Sequence, residues 1–600
     1  MFKKVISLIG VAGILIAAQK VPVKEAHMDK GEVISSSTSS PIHFTVKKQS
    51  SYVGTEYQKP YTPSPGRDYQ ANGPTPIRIW ALEEGVYVSM FMFGPLMWLW
   101  YDFNTGNWIP GGGNAYPPSD TAGYGGMFVN LSPLATSTYK FPFFCGHNYE
   151  SGNSVEYWDD AVWWPNPATN AYPSWQGFDL SYVEVIGEGE GVWPRFGITG
   201  DSMLGHQIST DYSGTGGIWY NRLRGIEGTP MWDGKILLVS EDVGPWYSFF
   251  ADPYGKKVVV SYMDPTYKSI LLVDTTQGLN FYGGDYILIN FSDTLFNQGE
   301  PTYYYEFVNG SVPFIDRDHR IHYLFFSFDG QHVSPVVLRH FYEGRGFVTI
   351  DTIGGDTVYY GVSYNTTIAG RGQMGQNWNN GVIYAIYEEF IQEPGNFVVP
   401  SNIDTALAPT RIVLIRSTDV EGEYSTWEVV DTLVQSGLNA TPFPGSENHW
   451  FRYPIMSPFV LQKADTDFVI WGVYEDYDPG FSVFGVGGYS QVDLIVGFTK
   501  VYPTDVSERP GVKTEYMNLT AFLNYLRNGG AEFIVNLPAE GSLTLRVFDV
   551  SGKLVSTVNF NGKAGRNVLP LSMKNLAKGV YFANINYRGQ NLTKKFVITK

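Results

Sequence analysis

The residues with the plainest chemistry here are tryptophans and paired carboxylates. Trp158, Trp163, Trp164 and Trp175 fall in a Pro- and Asn-rich stretch between Tyr149 and Trp175. A loop of that kind could offer flat aromatic faces to sugar rings. The same rings could pack on one another inside an insertion, and packing is the preferred reading. Asp316-Arg317-Asp318 and Asp476-Tyr477-Asp478 set two carboxylates one residue apart, which suits either calcium ligation through oxygen or an ordinary turn. The turn reading is preferred, and no cofactor other than calcium is suggested. The nine histidines show no metal-ligand spacing, and His322 and His332 read as structural. Cys145, the only cysteine, follows the apolar run Phe141-Pro142-Phe143-Phe144 and reads as a buried small hydrophobe. No glycine-rich loop opens a helix to hold phosphate, and no Ser/His/Asp order is legible.

The elements that would carry these residues are strands. In 600 residues, 16% are aromatic, and glycine and proline number 66 and 36. Aromatic and β-branched runs cut by Gly, Pro, Asn and Asp imply many short strands joined by turns. The chain is too long for one ordinary core, so two or more domains or a large closed repeat are expected. A net charge of −17 excludes a nucleic-acid partner, which needs clustered Lys and Arg against phosphate.

One strand type recurs. Trp193–Ile198, Lys257–Tyr262, Ile321–Phe326 and Val382–Tyr387 start 64, 64 and 61 residues apart, and Phe468–Val473 follows after a longer gap. Further starts at Val86 and near Phe141 bring the count to six or seven. A second apolar run usually follows, as at Gly217–Tyr220, Ile270–Val273, Val336–Leu338 and Ile412–Ile415. A period near 60 with several strands per unit predicts a β-propeller of six or seven blades over residues 76–502, in which closure removes exposed sheet edges.

Both ends carry targeting signals. Met1-Phe2-Lys3-Lys4 precedes an apolar run ending at Ala17-Ala18, which has the charge, length and exit of a secretory signal peptide over residues 1–18. No stretch is long and apolar enough for a transmembrane helix. Residues 19–75 are expected to be a Ser/Thr/Pro-rich linker or arm, and 503–530 a second linker. From 531 to 600, short alternating strands with a glycine at several reversals predict a small Ig-like β-sandwich.

That tail resembles the type A sorting domain of the type IX secretion system. The resemblance rests on a strand ending in Asp549, the turn Val550-Ser551-Gly552-Lys553, the element Leu576-Ala577-Lys578-Gly579-Val580-Tyr581, and the closing Lys594-Lys595-Phe596-Val597. One departure is Asn536-Leu537-Pro538, where the family has Asn-Pro. Read without the family, a carbohydrate-binding or fibronectin-like module is the lesser alternative for the tail. The resemblance implies a Gram-negative source, export through the periplasm to the cell surface or beyond, and the secretion machinery as partner.

Three stretches resemble the Asp-box of sialidase-like propellers, a structural hairpin motif. They are Asp102 to Gly106 with Trp108, Arg222 to Gly228 with Trp232, and Arg416 to Gly422 with Trp427, the last including Ser417 and Asp419. Ile77-Arg78-Ile79-Trp80-Ala81-Leu82 resembles the element that opens those propellers, whose arginine clamps a substrate carboxylate. Here Trp80 stands in place of the family's proline. The resemblance makes Arg78 the one catalytic candidate, while a strand arginine in a surface ion pair is the plainer reading. A similar Phe451-Arg452-Tyr453-Pro454 comes late in the chain. No motif supplies the remaining catalytic groups, so the expected function is a non-catalytic binding module for glycan or protein. A sialidase-like glycoside hydrolase is the alternative.

Overall fold

The computed structural model describes residues 52–61, 77–91, 96–110, 122–123, 127–129, 142–152, 155–163, 183–185, 191–200, 204–211, 217–226, 229–243, 247–265, 269–291, 311–327, 336–353, 369–391, 410–417, 424, 426–435, 449–463, 466–476, 492–502, 520–525, 531–537, 540–550, 553–563, 565–571, 576–587 and 590–598. The signal-peptide reading therefore lies outside the described residues. The chain is all-β and divides into two compact units, Met1–Leu461 with Asp467–Thr504, and Gln462–Thr466 with Asp505–Lys600.

The first unit holds seven antiparallel sheets in chain order. Sheet 1 is Ile79–Leu82, Gly85–Phe91, Leu96–Asp102 and Asn107–Pro110. Sheet 2 runs from Ala122–Gly123 and Met127–Val129 through Pro142–Gly152 and Val155–Trp163 to Val183–Val185. Sheet 3 is Gly191–Thr199, Leu204–Asp211, Ile218–Arg224 and the pair Met231–Trp232 and Ile236–Val239. Sheets 4, 5 and 6 begin at Tyr247–Ala251, Phe314–Ile315 and Ala369–Gln376, and each adds three strands in sequence order. Sheet 7 is Trp450–Met456, Thr466–Asp476 and Val492–Val501, with Leu461–Lys463 beside it.

The fourth strand of sheet 7 is Tyr52–Tyr61, paired antiparallel with Val492–Val501. The expectation of a linker over 19–75 is thus corrected for these ten residues. Alternation of β-branched, aromatic and polar side chains in this segment suits an edge strand. Its side chains join three sheets: Tyr57 donates to the Leu433 carbonyl at 2.6 Å, Gln58 accepts from Trp108 Nε1 at 2.6 Å, and Lys59 pairs with Glu475. The first strand of each sheet lies beside the first strand of the next, and Trp450–Met456 lies beside Ile79–Leu82.

Burial explains why the second strands read as continuous apolar runs. Ile321–Ser327 and Ile383–Phe390 are buried at every position, because both faces meet neighbouring sheets. Outer strands such as Gly346–Ile353 have one exposed face. Each fully buried Val, Leu or Ile contributes about 1.5–3 kcal/mol. Six of the seven expected repeat starts fall on second strands. Trp193 falls on a first strand, so its spacing of 64 was out of phase.

The second unit has a three-stranded sheet, Thr520–Tyr525, Ala531–Leu537 and Gly565–Leu571, and a four-stranded one. The latter has the order Leu554–Gly562, Gly541–Asp549, Gly579–Tyr587, Gln590–Ile598. Thr520–Tyr525 lies in the expected 503–530 linker yet pairs with Ala531–Leu537, so the tail begins earlier than residue 531. Leu543, Leu545 and Val547 are buried, and Thr544, Arg546 and Phe548 between them are not, the alternation of a strand with one covered face.

Candidate functional site

The two ends of the seven-sheet unit differ. At the end where first strands turn into second strands, the turns are tied by their own acid or amide. Asp316 Oδ1 accepts the backbone N–H of Asp318 and Arg320 at 2.9 and 2.8 Å, and Asn377 Oδ1 accepts that of Asn379 at 2.8 Å. Asp316 Oδ2 meets His322 Nε2 at 2.9 Å, so the Asp316–Asp318 pair serves a turn. Of Asp476-Tyr477-Asp478 only the Asp476 backbone is described. Neighbouring turns interlock: Arg317 donates to the Trp378 carbonyl at 2.8 Å, and Ala81 N–H donates to Ser457 Oγ at 2.9 Å. Tyr254, Trp378, Phe459 and Trp80, from sheets 4, 6, 7 and 1, stack with centroids 4.2, 5.1 and 5.5 Å apart in succession. These aromatics bring together four sheets that are distant in chain order.

At the opposite end the first strands begin, and four of them carry an arginine: Arg78, Arg195, Arg371 and Arg452, with exposures of 1%, 8%, 3% and 0%. Three of these strands have a β-bulge at the arginine, between Val192 and Arg195, Gly370 and Gln373, and Arg452 and Ile455. A bulge inserts one residue and re-aims its side chain. Arg371 and Tyr453 take φ of 60° and 61°. They are the two non-glycine residues with left-handed backbone inside strands among the described residues. Such strain costs about 1–3 kcal/mol per residue and is held by its surroundings.

Glu388 is part of what holds it. Its Oε1 accepts Arg452 Nε–H at 3.0 Å, and its Oε2 accepts the Tyr453 N–H at 2.8 Å and lies 3.7 Å from Arg371 Nε. The Arg371 and Arg452 guanidinium groups sit 4.2 and 4.8 Å from the Tyr453 ring centroid. Burial pushes Arg371 down to about 10, against the opposing pull of Glu388. Burial likewise lowers Arg195, and the like charge of Arg78 adds to that.

Arg78 Nη1 donates to the Tyr474 hydroxyl at 2.9 Å. Its burial corrects the surface ion-pair reading. Opposite Arg78 in register, Ser89 donates its N–H to the Arg78 carbonyl at 2.8 Å. The Ser89 hydroxyl is buried and has no hydrogen-bond partner among the described residues. Besides Arg78, the first strands thus bury Arg195, Arg371 and Arg452, of which the sequence singles out Arg452 alone, in Phe451-Arg452-Tyr453-Pro454.

The tryptophan candidates lie elsewhere. Tyr149–Gly152 and Val155–Trp163 are paired strands, with Tyr149 opposite Trp158 and Phe144 opposite Trp163, so this part is no loop. Val155–Trp163 belongs to sheet 2, which supplies none of the four arginines. Trp164 and Trp175 lie outside the described residues. Cys145 is buried, with Sγ 3.6 Å from the Pro194 carbonyl, and His332 lies outside the described residues.

The three turn-and-tryptophan stretches all join third to fourth strands. Asp102 Oδ1 accepts the Asn104 N–H at 2.8 Å, Gly106 has φ +68°, and Trp108 follows. Arg222 pairs with Asp233 at 2.5 Å, and Arg416 Nε donates to Glu428 at 2.6 Å. Ser417 pairs with Trp427, and Trp232 with Leu223. Gly228, Asp419 and Gly422 lie outside the described residues. Among the described residues no cluster of His, Cys, Asp and Glu could hold a metal ion, and no helix is long and apolar enough to cross a membrane.

No curated protein matches the chain. Solved structures resemble it weakly. Aleuria aurantia lectin, as a mutant in complex with Fucalpha1-6GlcNAc, is 11% identical over 46% of this chain and 78% of its own, with TM-score 0.28. A levansucrase mutant of B. megaterium is 9% identical over 74% of this chain and 96% of its own, with TM-score 0.29. A bifunctional GH43-CE protein of Bacteroides eggerthii is 9% identical over 78% and 68%, with TM-score 0.27. Residues 531–599 match the secretion system C-terminal sorting domain. That domain marks proteins exported by the type IX system to the cell surface or extracellular space, and this chain carries it at its C-terminal end.

Proposed function

We propose that the seven sheets are the blades of a β-propeller closed by the strand Tyr52–Tyr61, and that this exported propeller is a non-catalytic binding module whose ligand presents a carboxylate, as an acidic glycan does. The third-to-fourth-strand turns would then be degenerate Asp-boxes, and the tail an Ig-like sandwich. One observation carries the binding reading: buried arginines sit on four first strands, Arg371 and Arg452 about Glu388 and Tyr453, and Arg78 on the hydroxyl of Tyr474, the register partner of Arg452. A planar guanidinium fork suits a carboxylate. Among the described residues Glu388 is the carboxylate set between two of them. Two guanidinium groups and a backbone N–H hold Glu388 in place.

A second reading, a sialidase-like hydrolase, is favoured by the Tyr474 hydroxyl on Arg78. A glycan array containing sialylated and uronate-bearing glycans, run beside a fluorogenic sialoside assay on the full chain, separates the two. Binding to carboxylated glycans, lost in Arg78→Ala, without turnover, is expected. Turnover abolished by Arg78→Ala would replace this reading with the hydrolase. No retention of any carboxylated glycan would end it.

A further inference from the structure

The second unit carries an exposed apolar patch at one end of its four-stranded sheet. Val550 is 70% exposed, Leu554 48%, Val555 36% and Phe582 38%. Register places them together. Phe548 pairs with both Leu554 and Phe582, and Val550 tips the turn that follows Asp549. Exposed Lys553 and Lys578 flank the patch. Asp549 is at the same end, but its Oδ1 accepts the Lys553 N–H at 3.0 Å and its charge is drawn into the turn.

The rest of that outer face is different. Thr544, Arg546, Thr557 and Asn559 follow down the same strands, and Thr544 Oγ1 donates to Asn559 Oδ1 at 3.0 Å. The exposed apolar side chains therefore occupy one end of an otherwise polar face. A sheet face with no functional demand would spread such residues singly.

That end is also where three separate stretches of sequence arrive. Asp549 pairs with Tyr581, and Gly579 with Ile598, so the Asp549–Lys553 turn, the Lys578–Tyr581 segment and the closing strand share one edge. These stretches are distant in sequence, and folding is what makes them a surface.

We propose that this patch, Val550, Lys553, Leu554, Val555, Lys578 and Phe582, is the docking surface for the export machinery, whose receptor presents an apolar groove bordered by carboxylates. The occupant follows from the unit's role as a sorting tail, on which this inference rests. The chemistry follows from the patch: four apolar side chains to bury and two exposed positive charges at the rim.

The test follows the full chain in a Gram-negative host that has the type IX system, comparing surface and medium with periplasm. The variants are Leu554→Asp, the pair Lys553→Glu with Lys578→Glu, a control pair Thr544→Asp with Arg546→Glu on the polar remainder of the face, and a chain lacking 531–600. Thermal melting of each purified full-length variant checks folding, and the lysine pair, being exposed, cannot disturb a core. The expected result is at least tenfold less export for both patch variants, with wild-type melting and normal export of the control pair. Normal export of a patch variant, or equal failure of the control, overturns the surface. Export of the truncated chain would instead overturn the tail's role. If Leu554→Asp changes the oligomeric state and leaves export intact, the patch is a self-association surface and the proposal fails.

Discussion

The two ends of the seven-sheet unit are built from the same strands and reach opposite solutions. At the aromatic-filled end, short turns satisfy their own backbone groups and Tyr254, Trp378, Phe459 and Trp80 occupy the meeting point. At the other end three first strands bulge, Arg371 and Tyr453 adopt unfavourable backbone, and four first strands each bury an arginine. Every connection from one sheet to the next leaves from this second end. Among them, and among the second-to-third connections, are long ones from Asn290 to Phe314, Phe390 to Thr410 and Asp476 to Val492, and the third-to-fourth connection from Trp163 to Val183 at the first end is of similar length. Left-handed backbone at non-glycine residues falls inside strands at the second end and in turns, as at His319 and Gln277, at the first, and strand strain of that kind is expected where a rigid scaffold presents a recognition site.

The largest test of this contrast is Glu388→Ala. The substitution strips Arg371 and Arg452 of the carboxylate between them and leaves the Tyr453 N–H without its acceptor. Removing one partner of a buried ion pair costs about 3–5 kcal/mol, which denaturant unfolding would read directly. A loss below about 1 kcal/mol would mean that Glu388 is not what holds the strained strands together.

Phe459→Ala probes the other end. Removing a buried phenylalanine costs about 3–5 kcal/mol, and the partly open rim of the aromatic stack favours the lower figure. Binding to whichever carboxylated glycan the array selects should be unchanged. A parallel loss of binding would break the contrast, since it would show that the two ends act as one site.

Arg371→Lys sharpens it. Lysine keeps the charge but loses the planar fork and the stacking on Tyr453. About a tenfold loss of glycan affinity is expected in calorimetric titration. Unchanged affinity would leave Arg371 as scaffold and move recognition to Arg78 and Arg195.

Much of the scaffold was legible in the sequence. Buried second strands announce themselves as unbroken apolar runs, and seven starts gave seven sheets. The bulged arginines were not legible, because a bulge breaks the alternation that marks a strand. A single arginine preceding Phe196 or following Gly370 looks like any strand residue. Only the meeting of Arg78, Arg371 and Arg452 from residues hundreds apart makes a site, and local pattern carries no record of that. The strand Tyr52–Tyr61 was missed for a related reason. An edge strand supplied by a distant segment has no hairpin partner beside it in sequence.

The smallest effect tests the interlocked turns themselves. His319 Nδ1 lies 2.6 Å from Asp252 Oδ2, joining the turns of sheets 4 and 5. This hydrogen bond, assisted by the Asp252 charge and opposed by burial and by Lys257, raises the His319 pKa above its usual 6.5. A raised histidine contributes most below its unfolded pKa, where the imidazolium is bound to Asp252, and loses that contribution as pH rises through the folded value. The imidazole is 49% exposed, so solvent screening holds the contribution below about 1 kcal/mol. Melting temperature should therefore fall slightly between about pH 6.5 and 8 in the wild type, and His319→Gln should flatten that step. Lys257 Nζ would still donate to the residue-319 carbonyl and to Glu343, both at 2.6 Å, so the turn keeps its place and the pH response alone is removed. An identical slope in the variant would assign the step to another group and leave the latch at this end independent of charge.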